Sequence, residues 1–404
     1  MSCCAPAGQP AGLRLAEVLR LGLVAASPKL PTHHWKILRA LLACRTPALG
    51  GHRYFCQQCG QSHFVPHSCR NRHCPLCQGQ AAHQWLERQQ SVLLPVPYFH
   101  LVFTLPHVLN PLIQQNQRAL YNLLFAAASQ TLLQFGQNRF AAQLGLTAVL
   151  HTWSQTLLDH YHLHCIVTGG GLTADGSRWV STSAQYLFAV RALSKVFRAK
   201  FCCGLQQLHA AQQLKFHGQL STLAQPDAFA RFLRQAARPK WVVYSKRPFA
   251  GPQQVLAYLS RYTHRVAISP RRLLALNQQN QTVTFAWKDY ADGARHKTMT
   301  LAAKEFLRRF CLHLLPKAFV KIRHFGFLSN QQQKIKIAQA RTLLKPRTQL
   351  EATQGSHPIQ LCAAQPTTPP GRVCPHCGSD RLWLIEIVPG IGRRSAIVPT
   401  LDSS

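Results

Sequence analysis

The chain has 404 residues, 47% of them hydrophobic, and carries 46 lysines and arginines against 12 aspartates and glutamates, a formal net charge of +34. That length allows a sizeable core and two or three domains. No stretch reaches the roughly 18 continuous apolar residues of a membrane span, and no long basic amphipathic helix suggests a membrane surface.

A stable fold does not need such a charge imbalance, and self-repulsion works against compactness. A polyanionic partner resolves it, because basic side chains on phosphates release condensed counterions. The excess is concentrated: residues 176–350 hold 30 lysines and arginines and only 4 acids, Asp227, Asp289, Asp292 and Glu305. Nucleic acid is the expected partner. The 15 cysteines cluster in CxxC pairs, which in a reducing compartment read as metal ligands rather than disulfides. No basic and apolar leader follows Met1, so the cytoplasm is the expected compartment, with nucleoid DNA in a bacterial host.

Residues 13–44 carry helical apolar spacing broken at Ser27-Pro28 and Pro31, and 34–44 reads as one amphipathic helix. Cys56-Gln57-Gln58-Cys59-Gly60 and Cys74-Pro75-Leu76-Cys77 then form two knuckles. Their spacing predicts one structural Zn²⁺ held by Cys56, Cys59, Cys74 and Cys77. Cys69 stands in reserve. The loop between them carries Arg70 and Arg72, a basic tip suited to phosphates or base edges.

Pro97 to Thr104 reads as a strand, 111–137 as helix, and Leu146 to Trp153 as a second strand. Asp159-His160-Tyr161-His162-Leu163-His164-Cys165-Ile166-Val167 reads as a third, stopped by Gly169-Gly170-Gly171. Alternate residues share a face, so His160, His162 and His164 line one side. Surface or satisfied core histidines are the plain alternative, but a His-x-His pair on an apolar strand favours a metal. An open site of this kind suits Mg²⁺ or Mn²⁺, with Mn²⁺ accepting imidazole more readily. Gln155, Asp159 and His160 are the candidates for a third ligand.

Residues 241–245 read as a strand leading into Tyr258-Leu259-Ser260-Arg261-Tyr262-Thr263-His264-Arg265. On a helix Tyr258 and Tyr262 share a face. They could be part of an ordinary apolar stripe, or two nucleophilic phenols in one site. A phenol that attacks a phosphodiester keeps the bond energy as phosphotyrosine, so resealing needs no ATP. Consistently, no GxxxxGK[ST] loop occurs in the chain. With an ordinary pKa near 10, each phenol needs help from cations such as Arg261 and Arg265. Val266 to Ser269 and Thr282 to Trp287 read as strands, with Lys288, Arg295 and Lys297 on turns, and 301–314 as a helix offering Arg308 and Arg309 to phosphates. Each cation alone suits a solvated face; together they argue for DNA, with Lys288 among the contacts. Trp287, Tyr290 and Phe325 are candidate stacking platforms for unpaired bases. Residues 348–372 have linker composition, Cys374-Pro375-His376-Cys377-Gly378 supplies half a zinc site, and the residues after Ile391 read as disordered.

The His162-Leu163-His164 pair is a His-hydrophobe-His (HUH) motif, and Tyr258 with Tyr262 matches a paired-tyrosine motif. With the finger before them, the chain resembles the two-tyrosine HUH transposases of the insertion sequence ninety-one family. SCRNRHCPLCQ ending at Gln78, PVPYFHLVFTLPH ending at His107, YLSRYTHR ending at Arg265, WKDYADG with MTL ending at Leu301, and IRHFGFLSN ending at Asn330 extend the likeness over roughly residues 20–345. The resemblance implies a metal-dependent nuclease and strand transferase acting on single-stranded element ends and target DNA, with rolling-circle-like transposition. It implies an α+β fold: an HUH core with an antiparallel RRM or ferredoxin-like sheet flanked by helices, plus an N-terminal helical zinc-knuckle domain. His162 and His164 become the metal ligands, and Tyr258 and Tyr262 the nucleophiles. The expected domains are 1–92, helical and zinc-binding; 93–347, catalytic; and 348–404, a linker and CxxC tail. A homo-oligomer is compatible with this reading. A replication initiator or relaxase would use the same chemistry, and a non-catalytic zinc-finger protein would explain the finger and charge alone. A transposase with three carboxylates around two metals is disfavoured, since the basic region holds only 4 acids.

Overall fold

The computed structural model describes residues 12–26, 28–183, 185–249, 254–255, 263–344 and 373–391. Helices α1 (Leu15–Ala26) and α2 (Thr32–Leu42) are separated at the expected prolines. A hairpin follows, β1 (Gly50–Cys56) with β2 (Ser62–Pro66), and then α3 (Pro75–Gln90), whose proline at the first turn costs no helical hydrogen bond.

The central region runs β3 (Tyr98–Thr104), α4 (Asn110–Gln115), α5 (Gln117–Phe140), β4 (Ala142–Trp153), β5 (Asp159–Thr173), β6 (Trp179–Ser181), α6 (Val190–Ala210), α7 (Pro226–Ala237) and β7 (Val243–Phe249). The sheet order is β11-β4-β5-β3-β7, where β11 is Ile322–Gly326 and β6 pairs with β5. All its pairings are antiparallel. Strands β3, β4, β5 and β7 with their helices form a β-α-β-β-α-β unit in the ferredoxin-like order. The fold is α+β with antiparallel sheets and flanking helices, as expected.

The period of two on each strand decides what lies where. Phe99, Leu101 and Phe103 of β3, Leu146, Ala148 and Leu150 of β4, and Tyr161, Leu163, Cys165 and Val167 of β5 all enter one core. Leu193, Phe197, Phe201 and Leu205, four apart on α6, cover that core together with Leu120, Leu124 and Leu132 of α5. His100, His151, His162 and His164 occupy the alternate positions of the same three strands.

The remaining elements are β8 (Leu273–Asn277), β9 (Thr282–Asp289), β10 (Arg295–Ala302), α8 (Ala303–Leu312), α9 (Gln333–Leu344) and β12 (Leu382–Pro389). Leu15, Val18 and Leu19 of α1 and Leu38 and Leu41 of α2 share a second core with Val283, Phe285, Phe306 and Phe310. Helices α1 and α2 are thus packed against β9 and α8 in one core. The tail is also tied in: β12 pairs with β1, from Gly50 opposite Pro389 to Cys56 opposite Leu382.

Three local expectations change. Residues 266–269 form bends, not a strand, and Lys288, Arg295 and Lys297 lie on β9 and β10 rather than on turns. The glycines do not end β5; they let it continue through a crowded place. A Cβ on Gly171 would lie 2.5 Å from the Gln143 carbonyl oxygen, and one on Gly170 would lie 2.6 Å from the Trp179 ring. Because the clash at Gly171 is with backbone, Gly171→Ala is expected to cost about 1–3 kcal/mol in urea unfolding. Gly79→Ala, in an open helical position, is expected to gain about 0.5–1 kcal/mol in the same measurement.

Candidate active site

His162 and His164 project from β5 on the face opposite the core. His151 on β4 is paired in register with His162. Candidate ligand nitrogens of the three rings lie within 4.8 Å of one another. The ring centroids are separated by 5.4 Å (151–162), 4.6 Å (151–164) and 5.0 Å (162–164). Burial, then the charge of His160, pushes the His162 pKa down to about 3. Burial, then His151, holds His164 well below its ordinary value. Both rings are neutral at pH 7 and can act as lone-pair donors.

The ring orientations are set from behind. Nδ1 of His162 donates to the backbone carbonyl of His160 at 2.7 Å, which leaves Nε2 as the ligand atom. Nδ1 of His164 hydrogen-bonds Nε2 of the buried His100 at 2.9 Å, so with its proton on Nδ1 it too would offer Nε2. Three imidazoles at this spacing suit a divalent transition ion and leave coordination positions for substrate oxygens.

The third member of the cluster was not among the three candidates. Asp159 is engaged elsewhere: its carboxylate accepts hydrogen bonds from Tyr161, at 2.8 Å, and from Gln114. His160 turns toward His107, with ring nitrogens 3.4 Å apart. Gln155 only lines the cavity. The available signal for His151 was its alternation with the core residues Leu146, Ala148 and Leu150, but its partner across the sheet is known only from the register.

A cavity of about 590 Å³ opens over the histidines. Lys246 on β7, Arg265, and Lys288 on β9 supply its positive charge, and Tyr244, Trp287 and Tyr290 supply aromatic surface. Tyr244 and Tyr290 are 51% and 68% exposed, enough to receive a flat ligand. The Lys288 ammonium sits 5.6 Å from the Tyr290 ring centre. Phe325 belongs instead to the main core, 6.3 Å from Phe125. Tyr258, Arg261 and Tyr262 lie outside the described residues. Lys246 before them and Arg265 after them both line the cavity.

The cysteines are grouped differently from the spacing argument. Cys74 and Cys77 meet Cys44 and Cys69, with sulfur separations of 3.5 Å (44–74), 3.6 Å (44–77) and 3.7 Å (69–77). Cys56 and Cys59 lie at the tip of the β1–β2 hairpin and meet Cys374 and Cys377. Each knuckle thus gathers with other cysteines rather than with the other knuckle.

A family model described as "Transposase zinc-binding domain" matches residues 21–105, and one described as "Putative transposase" matches residues 145–335. The chain is 42% identical over 365 residues to the "Putative transposase y4qJ" of Sinorhizobium fredii, covering 90% of this chain and 91% of that one. It is 31% identical over 296 residues to the transposase for insertion sequence element IS801 of Pseudomonas savastanoi pv. phaseolicola, covering 72% and 69%. The chain belongs to the insertion sequence 91 family of transposases. A likeness to the conjugative relaxase TrwC in complex with oriT DNA, at 13% identity and a TM-score of 0.23 over 52% of this chain and 85% of that one, is too slight to carry weight.

In this transposase, the Cys44, Cys69, Cys74 and Cys77 thiols fall within the matched zinc-binding domain, and their donor set suits Zn²⁺. Arg70, in a left-handed turn at φ 50°, is exposed as expected of a basic tip. Arg72 instead turns inward, its guanidinium donating to the Phe319 carbonyl. Arg308 and Arg309 pair with Glu305 at 2.6 and 2.7 Å. Among the described residues no helix is long and apolar enough to cross a membrane.

Replacing His151 by alanine is expected to weaken Mn²⁺ binding at least as much as His162→Ala, measured by isothermal titration. His100→Ala is expected to weaken it about 10–100-fold through the misoriented His164 ring. His160→Ala should leave the affinity unchanged.

Proposed function

We propose that this transposase cuts and rejoins single-stranded DNA at the ends of an insertion sequence, through 5′-phosphotyrosine links formed by Tyr258 and Tyr262. A phenol oxygen attacks the scissile phosphorus, the bond to the 3′ oxygen breaks, and a free 3′ hydroxyl leaves with a proton. The second phenol can repeat the exchange on another strand, and attack by a 3′ hydroxyl reseals without ATP. A divalent ion, Mn²⁺ or Mg²⁺, held by His151, His162 and His164 would polarise the phosphate and neutralise its charge.

The observation that carries this reading is the three-imidazole cluster on the floor of a basic cavity, bordered by the chain just before and just after the tyrosine segment. Lys246, Arg265 and Lys288, which line the cavity, would hold phosphates near the histidines, and Arg261 is a further candidate from its sequence position. Trp287, Tyr290 and Tyr244 offer stacking surfaces that unpaired bases could use. A purely DNA-binding zinc protein would leave the histidine cluster without a role. A replication initiator would share the chemistry, but relatives at 42% and 31% identity are transposases by name.

Incubation with labelled single-stranded element ends and Mn²⁺ is expected to give a protein–DNA adduct that survives a denaturing gel. The adduct should vanish with EDTA and in the Tyr258→Phe, Tyr262→Phe double variant. Tight, salt-dependent binding without any adduct would overturn the cleavage reading. Lys288→Ala is expected to weaken binding evenly across sequences and to lower the salt slope by about 1.

A further inference from the structure

The second cysteine cluster lies partly outside both regions matched by the family models, which end at residues 105 and 335. It brings together two segments from opposite ends of the chain. The Cys56 and Cys377 sulfurs are 3.6 Å apart, as are those of Cys59 and Cys374, and all four lie within 4.8 Å of one another. A tetrahedron with metal–sulfur bonds of about 2.3 Å has sulfur–sulfur edges of about 3.8 Å. A disulfide would require about 2.05 Å.

The two turns are built alike, although their sequences share only the CxxCG frame. Gly60 donates to the Cys56 carbonyl at 2.9 Å, and Gly378 to the Cys374 carbonyl at 2.9 Å. Cys56 N–H donates to the Gln61 carbonyl at 3.0 Å, and Cys374 N–H to the Ser379 carbonyl at 2.7 Å. Gly60 and Gly378 both have positive φ, 70° and 76°, which glycine adopts without strain. The amides of Gln58 and Cys59 face the Cys56 sulfur, and those of His376 and Cys377 face the Cys374 sulfur.

Apart from the backbone ladder to β1 and the hydrogen bonds Gln57 N–H to Arg381 and Ile391 N–H to Ala48 at 3.1 Å each, little else holds β12 in place. Trp383, Leu384, Ile385 and Ile387 are 60%, 49%, 52% and 43% exposed, so the strand does not dock through apolar burial. Its ion pair to β1, Arg53 with Glu386 at 2.8 Å, is exposed on both sides, and such pairs add little. A link between positions so far apart in sequence also carries a high loop-closure entropy. We propose that Cys56, Cys59, Cys374 and Cys377 form a second structural zinc site that staples the C-terminal segment to the N-terminal hairpin. β12 then completes the β12-β1-β2 sheet because of the metal, and zinc removal undocks it.

The test uses the full chain loaded with Co²⁺ under reducing conditions. Sulfur-to-cobalt charge-transfer absorbance reports thiolate sites and is silent to the histidine cluster. The wild-type chain is expected to titrate two thiolate-bound cobalt ions, and Cys374→Ser/Cys377→Ser only one, with the absorbance halved. Trypsin cleavage at Arg381 should become at least tenfold faster in that variant and in chelated wild-type protein. If the double variant does not fold, Cys377→His decides: it should still bind two ions, with about one-eighth of the charge-transfer intensity lost. A wild-type chain with a single thiolate-bound ion, a serine variant that keeps two, or cysteines at these positions recovered as disulfides would each overturn the proposal.

Discussion

The structure depends on the two-sidedness of three neighbouring strands. On β3, β4 and β5 the core-facing side chains, such as Phe99, Leu101, Phe103, Leu146, Ala148, Leu150, Tyr161, Leu163 and Cys165, are apolar and sealed under α5 and α6. That packing fixes the sheet's register, because a slip of one residue would send the core face to the cavity. The alternate positions are thereby fixed as well, and five of them are histidines: His100, His151, His160, His162 and His164. A rigid apolar face on one side is what holds imidazole rings at metal-binding distance on the other. His100 and the His160 carbonyl then choose which ring nitrogen points outward.

The charge of +34 is arranged by the same scaffold. Acids that could compete for the cavity are engaged elsewhere. Asp159 faces Tyr161 and Gln114, Glu305 holds Arg308 and Arg309, and Asp289 and Asp292 both pair with Lys297 at 2.9 Å. Lys246, Arg265 and Lys288 line the cavity itself. The basic surplus is therefore partly structural, as with Arg72, and partly presented where a phosphate backbone would pass.

A structural metal can stand in for part of a hydrophobic core in small units. The β1–β2 hairpin and β12 are short and thinly covered. The Cys44 cluster anchors the end of α2 to the start of α3, beside the shared core of α1, α2 and α8. Helix α1 approaches α8 so closely that a Cβ on Gly22 would lie 2.7 Å from the Ala303 carbonyl oxygen. Helix α1 is thus packed tightly onto α8.

Much of this was legible in the amino-acid sequence. The order of strands and helices from residue 97 to 167, the His162–His164 face and the basic bias all follow from periodicity and composition, which are local quantities, whereas the β1–β2 hairpin and α3 were not read from the sequence. The family likeness was carried by ordered short motifs. What the sequence could not decide were pairings between distant segments. His151 joins the cluster only because β4 lies beside β5 in one register. Cys44 and Cys69 join Cys74 and Cys77, and Cys56 and Cys59 join Cys374 and Cys377, because hairpin direction and strand pairing bring them together. Spacing along the chain favours the nearest partners, Cys56 to Cys77, whereas in space each turn meets whatever the sheets place opposite it. Residue chemistry and local pattern were determined by sequence alone; the membership of each metal cluster was decided by tertiary structure, since ligation depends on distances that only strand register and packing set.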